Sequence, residues 1–154
     1  NPSIKVGKQI EEAYQAAEAG RGKSRKNRRE RREEVLALMR QAGIPQPAER
    51  YYQYPYQLSG GMCQRVGIAI ALAKKPRLLL ADEPTGNLDH QNGLEVMALL
   101  KESIKQFALT MIVVTHDPSI ASMADRVITL SDGVIISDTM VKHVLAAQND
   151  RKKL

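Results

Sequence analysis

The sequence predicts an α/β fold built on a parallel sheet, and three stretches carry that prediction. Residues 78–81, Leu-Leu-Leu-Ala, are a short apolar run ending in Asp82 and Glu83, the pattern of a buried strand that delivers carboxylates to a sheet edge. Residues 109–114 form a second apolar run, ending in Thr115, His116, Asp117 and Pro118. An unbroken helix-forming stretch, residues 62–75, leads into the first strand and is preceded by Ser59, Gly60 and Gly61.

Each of these stretches points to phosphate chemistry. The backbone N–H groups of Ser59, Gly60 and Gly61 and the Ser59 hydroxyl crown a helix N-terminus, an arrangement that attracts phosphate. The C-terminal edge of a parallel strand is where α/β sheets hold ligands. There Asp82 suits a water-mediated contact to Mg²⁺, which prefers hard oxygen ligands and keeps waters, and Glu83 is placed to polarise an attacking water. The pair reads as a nucleotide-hydrolysis site.

Composition narrows the setting. The chain has 154 residues with 43% hydrophobic content, enough for one core. The formal net charge of +6 is a local feature: residues 21–32 carry eight basic side chains against Glu30 alone. The single cysteine, Cys63, has no intrachain partner, and with no signal-peptide pattern this predicts a reducing cytosol. The longest apolar run, residues 66–73, is far short of the roughly 20 residues of a membrane span, so membrane contact is expected through a partner.

Taken together, LSGGM at 58–62, QRVGIAIALAKKP at 64–76 and LLLADEPTGNLD at 78–89 resemble the signature, Walker B and D-loop of an ATP-binding cassette (ABC) ATPase. The resemblance implies a P-loop NTPase-like fold in truncated form. Residues 1–75 are the helical signature subdomain, with a basic helix at 21–42, and residues 76–154 are the Walker B, D-loop and switch-histidine part of the core with a C-terminal hairpin. Asn1, Pro2, Val6, Gly7, Gln9 and Ile10 match the segment that follows the glutamine loop in peptide importers, and YPYQ at 54–57 resembles that class's approach to the signature. On this reading the start is a cut, with the phosphate-loop half lying upstream.

The family's roles, carried over position by position, are these. Ser59, Gly60 and Gly61 contact the γ-phosphate of ATP held by a second ABC ATPase domain, packed head to tail as a homo- or heterodimer. Asp82 organises Mg²⁺, Glu83 activates water, His116 holds the γ-phosphate geometry, and Asp89 links the two sites across the dimer. The implied ligands are ATP and Mg²⁺. The implied partners are transmembrane permease subunits, which would hold the protein at the cytoplasmic face of the membrane. The implied function is coupling of ATP hydrolysis to solute transport, with peptide as the substrate. Two departures keep other readings open: Thr-Gly-Asn-Leu-Asp at 85–89 resembles lipoprotein and macrolide exporters, and the importers' His-Pro-Tyr segment is missing near the end. A soluble cassette ATPase acting on ribosomes or DNA is a further alternative, against which no sustained heptads appear. A non-catalytic cassette kept only for its interactions is another. Met62 stands where the family commonly has Gln, and Cys63 where it commonly has Arg.

The remaining stretches are read as follows. Residues 6–19 are helical, so Gly22, Lys23 and Ser24, which mimic the end of a phosphate loop, lack the preceding strand such a loop requires and are expected to be a decoy. In the basic helix, Val35, Leu36, Leu38 and Met39 form an apolar stripe, and the helix should end at Gly43, before Ile44-Pro45. The charges of 21–32 fit a solvated face, a phospholipid- or transporter-facing patch, or nucleic-acid binding; no aromatics interleave with them, so no specific nucleic acid is expected. Tyr51, Tyr52, Tyr54 and Tyr56 either pack the helical part or face a transporter. Residues 94–106 should be an amphipathic helix turning Leu94, Met97, Ala98 and Ile104 to a sheet. Residues 121–125 are expected as a short helix, 127–130 and 134–137 as a hairpin about Ser131-Asp132-Gly133, and 141–154 as a final helix with a basic tail.

Overall fold

Helix α1 (Val6–Gly20) opens without a side-chain cap. Its first N–H groups are satisfied instead by a distant segment, Val6 donating to the Gln53 carbonyl at 2.8 Å and Gly7 to that of Tyr51 at 3.0 Å. Gly7 is required at that approach, since a Cβ there would lie 2.1 Å from the Tyr51 ring. The computed structural model that reveals this describes residues 1–22, 26–86 and 88–141.

Helix α2 (Arg28–Gln41) begins later than the expected basic helix at 21–42, because Asn27 and Glu30 make a reciprocal capping box at its start. Its end follows the expectation. Gly43 takes φ +65°, its N–H donates to the Arg40 carbonyl, and the Ile44 N–H reaches back to Met39, closing a Schellman turn over the buried Ile44. The stripe of Val35, Leu36, Leu38 and Met39 is buried as predicted. After the short helix α3 (Pro47–Arg50) and a 3-10 turn at Pro55–Gln57, helix α4 (Gly60–Ala73) starts at Ser59, whose hydroxyl accepts from the Met62 N–H at 3.3 Å.

Helices α1, α2 and α4 pack together and own the core: Val6, Ile10 and Tyr14 of α1 meet the α2 stripe and Val66, Ile68, Ala69, Leu72 and Ala73 of α4. Two carboxylates of α1, Glu11 and Glu18, are buried as well. Glu11 accepts from Arg31 Nε at 3.0 Å and from the Tyr51 hydroxyl at 3.2 Å, with Lys8 nearby. Burial pushes its carboxyl up, but Arg31, Lys8 and Tyr51 together outweigh burial and hold it below the ordinary carboxylate range. At the far end of α4, Arg21 donates to the carbonyls of Lys74 at 2.8 Å and Lys75 at 3.1 Å. A cation on the last carbonyls of a helix complements its dipole.

Strand β1 (Leu78–Asp82) pairs in parallel with β2 (Thr110–Val114), Leu78 opposite Thr110 and Asp82 opposite Val114. The parallel pairing agrees with the sequence, but the burial does not. Leu80 is 69% exposed, and Ile112 and Val114 are more than half exposed. Parallel strands are buried only when layers cover both faces, and among the described residues those layers do not surround this pair. Helix α5 (His90–Phe107) joins the strands and packs on α4. It buries Gly93, Val96, Met97, Leu100 and Ser103; of the expected inward set only Met97 is fully buried, and Ala98 faces out.

The chain divides into two compact units, Asn1–Val114, described above, and Thr115–Leu154. In the second, helix α6 (Pro118–Ala121) replaces the short helix expected at 121–125. Asp117 caps it by accepting from the Ser119 N–H, and Pro118 occupies its first turn, so the helix starts as early as that pair allows. Strands β3 (Arg126–Ser131) and β4 (Val134–Met140) form the expected hairpin. Asp132 and Gly133 both take positive φ, the geometry of a two-residue turn that matches strand twist. Arg126 and Asp138 pair across it in bidentate fashion. The helix expected at 141–154 and the residues Lys23 and Ser24 lie outside the described residues, apart from Val141. No helix among the described residues is long and apolar enough to cross a membrane.

Candidate functional site

The signature residues and Asp89 come together, although the sequence separates them by the whole of α4 and β1. A cleft of about 530 Å³ in the first unit is lined by Ser59, Gly60, Gly61, Arg65, Asp89 and Glu95, among others. Two helix starts open on it: Ser59 and Gly60 are exposed at the head of α4, and Asp89 is exposed at the head of α5. The two starts nearly touch, a Cβ at Gly61 standing 3.7 Å from Leu88 Cδ2 and 4.0 Å from Asn92 Oδ1. The start of α4 turns its positive dipole end to this opening, while the start of α5 is already met by its own capping carboxylate, Asp89.

Asp89 is itself fixed by its capping role. Its Oδ1 accepts from the Asn92 N–H at 3.0 Å and its Oδ2 from the Asn92 side-chain amide. The backbone and side-chain hydrogen bonds from Asn92 hold the Asp89 carboxyl below the usual range, so it is a fixed negative charge at neutral pH.

Asp82 closes β1 on an exposed edge, and Glu83 follows with φ +42°. A non-glycine residue in the left-handed region is strained, and such strain concentrates at functional positions. What holds it is the ladder: the Glu83 N–H donates to the Val114 carbonyl at 2.9 Å, and the Glu83 carbonyl accepts from Gly86 N–H at 3.1 Å. The chain therefore turns sharply as it leaves the sheet, with both carboxylates at the strand's carboxyl end. Mg²⁺ fits this donor set, because it is bound by one or two carboxylates and completes its shell with phosphate oxygens and water. No cluster of three or more His, Cys, Asp or Glu that could hold a metal ion is found among the described residues.

His116 is exposed and belongs to the second unit, two residues beyond the end of β2. The turn that carries it is pinned by the Asp117 N–H donating to Thr115 Oγ1 at 3.1 Å. Cys63, the position where the family commonly has Arg, is exposed in the first turn of α4, its thiol 3.4 Å from the Pro55 carbonyl. The sequence reading overlooked Arg65, Asn92 and Glu95 as members of the cleft. Asn92 three residues after Asp89 was a visible capping signal; Arg65 and Glu95, 30 residues apart, left no local sign of their pairing.

Comparisons of sequence and of structure with known proteins agree on a family. The profile of the ABC transporter family fits residues 2–86, more than half of the chain. The chain is 43% identical to the dipeptide transport ATP-binding protein DppD of Haemophilus influenzae over 94% of its own length and 42% of that protein. It is 41% identical to the oligopeptide transport ATP-binding protein OppD of Bacillus subtilis, over 94% of its length and 39% of that protein. It is 50% identical to the macrolide export ATP-binding/permease protein MacB 2 of Aeromonas hydrophila, over 73% of its length and 17% of that protein. The chain thus spans less than half the length of these relatives. In structure it is similar to the ATP-binding cassette MJ0796, solved as a dimer in a post-hydrolysis state with ADP and phosphate, with a TM-score of 0.78 and 32% identity over 93% of this chain and 59% of that one. With that family profile fitting more than half of the chain, and a helix, a carboxylate-tipped strand and a capped second helix following in order, the chain belongs to the ABC transporter family.

Proposed function

We propose that this chain is the signature and Walker B part of a transporter's ATPase subunit, coupling ATP hydrolysis to movement of a solute, with peptide as the substrate class. The observation that carries the proposal is the shared cleft: Ser59, Gly60 and Gly61 face outward beside Asp89, arranged for a nucleotide that another domain presents. The likeness to DppD and OppD favours peptide import. The likeness to MacB 2, together with Thr-Gly-Asn-Leu-Asp at 85–89, favours macrolide or lipoprotein export as the second reading. The dimer seen for MJ0796 supports a second cassette as partner. Permease subunits would complete the assembly at the cytoplasmic face of the membrane.

In this proposal the division of roles falls at residue 75. Residues 1–75 present the signature to the partner's nucleotide, and residues 76–154 carry the hydrolytic groups. When bound, Mg²⁺ would neutralise charge on the phosphates. Asp82 would hold it, Glu83 would accept a proton from the attacking water, and His116 would donate a hydrogen bond to the γ-phosphate. Asp89 keeps its charge and its orientation through Asn92, ready to meet the partner domain. Gly22-Lys23-Ser24 takes no part: helix α1, and not a strand, runs up to it. Residues 1–154 by themselves would then bind MgATP only beyond millimolar and leave it intact, since the backbone ring and lysine of a phosphate loop supply the main grip on a triphosphate.

The test is Glu83→Gln in a complete cassette carrying these residues. Expected is a loss of at least a hundredfold in kcat with MgATP affinity unchanged. Turnover within a few-fold of wild type would remove Glu83 from the role of base.

A further inference from the structure

The cleft contains an arginine that none of the expected roles uses. Arg65 lies in α4, about one turn beyond the signature, and its side chain is only 16% exposed. Its Nη2 donates to Glu95 Oε2 at 2.9 Å, on α5. Its Nη1 donates to the Gly43 carbonyl at 3.2 Å, just past the end of α2. One guanidinium thus bridges three elements that border the cleft. The geometry of the receiving side is specific: Gly43 is at φ +65°, and a Cβ there would stand 2.3 Å from Nη1 and 2.6 Å from Leu99 Cδ1. Glycine at 43 therefore serves the helix end and the arginine at once, and the cation meets the negative end of the α2 dipole.

We infer that Arg65 is a positioning residue, a clamp that fixes the head of α4, bearing Ser59, Gly60 and Gly61, relative to the head of α5, bearing Asp89. The inference rests on the proposed function, in which these two heads face the same partner domain. Both must meet that partner at once, so an error in their relative placement is an error in docking. Arg65 reads the position of α5 through Glu95 and of α2 through Gly43, and its planar fork can hold both because its donors point in fixed directions. Lysine carries its three donors on one nitrogen and lacks the fork that reaches both acceptors. The clamp touches no nucleotide. Its effect should fall on assembly of the two domains and leave nucleotide affinity of a single domain alone.

The experiment uses the complete cassette and five forms: wild type, Arg65→Met, Arg65→Lys, Glu95→Gln and the double variant Arg65→Met/Glu95→Gln. MgATP affinity of the monomer is measured by titration at low protein concentration. Dimer formation with the β,γ-imido analogue of ATP is measured by sedimentation velocity, and thermal unfolding is followed in parallel. Expected for Arg65→Met is dimerisation weakened at least tenfold with monomer affinity within twofold of wild type. Glu95→Gln should weaken it about threefold, Arg65→Lys should fall between, and Arg65→Met/Glu95→Gln should be no worse than Arg65→Met alone. Equal dimerisation by wild type and Glu95→Gln would overturn the clamp, and that variant carries the test if Arg65→Met does not fold. A loss of monomer affinity matching the loss of dimer would also overturn it, because general destabilisation would then suffice. If wild type itself fails to dimerise with the analogue, the proposed function fails, and the clamp with it; a dimerising wild type with indifferent variants rejects the clamp alone.

Discussion

The three-helix region and the two-stranded sheet use the same kinds of side chain to opposite effect. In the helices the leucines, isoleucines and valines close on one another: Ile10, Val35 and Met39 have no exposed surface, and Leu72 has 1%. In the sheet, Leu80, Ile112 and Val114 stand open. The contrast follows from the geometry of the two structures. A helix presents a single apolar stripe, and three helices can bury their stripes against one another. A parallel strand is apolar on both faces and needs a layer on each. The signature side of the molecule is therefore self-supporting, whereas the carboxylate-bearing edge is organised by hydrogen bonds at its end more than by packing along its length.

Four substitutions in the 154-residue chain break or sharpen this comparison. Leu72→Ala, in the middle of the helical core, should cost about 2–5 kcal/mol in denaturant unfolding; a cost below about 1 kcal/mol would mean the helices are not packed as described. Gly7→Ala forces the Tyr51 ring away from α1 and should cost about 1–3 kcal/mol, measured as a fall in unfolding midpoint with an unchanged slope. Glu11→Gln removes the charge that Arg31 and Lys8 face, for about 1–2 kcal/mol at neutral pH. Because the folded-state carboxyl is held below its unfolded value of about 4.3, that difference is complete above this pH and shrinks as pH falls through the folded value. A wild-type advantage that grows on acidification would contradict the assignment. Leu80→Ala, on the open strand, should change stability by no more than about 0.5 kcal/mol. If instead it costs as much as Leu72→Ala, the strand is covered in solution.

What the sequence disclosed was local. The Ser59 cap, the strand ending at Asp82 and the Asp132-Gly133 turn are written in adjacent residues and the structure bears them out, while the helix expected at 62–75 spans Gly60–Ala73. The end of α2 was legible too, because a glycine followed by Ile-Pro both permits the left-handed turn and stops the helix. What escaped depended on partners. Apolar content named β1 and β2 as strands but could not say whether anything would cover them. The buried face of α5 was misphased by a single position: Ala98 and Leu94 suit a stripe as well as Val96 and Leu100 do, and packing on α4 decides between them. The pairings Glu11–Arg31 and Arg65–Glu95 span 20 and 30 residues, beyond any local pattern.

The attachment of Arg21 to the carbonyl end of α4 bears on how the chain is threaded. Helix α1 is secured at its beginning by the backbone of residues 51–53 and at its finish by the carbonyls of Lys74 and Lys75, just past the end of α4, while its flank is buried among α2 and α4. The first fastening is made by α1 itself and the second by Arg21, the first residue after it, so neither depends on the chain beyond Gly22. The covalent link between these two helices is thus redundant for holding them in place, and a backbone cut between Gly22 and Lys26 should leave a two-piece protein that migrates as one particle. New termini could be introduced there and helix α1 would keep both of its anchors.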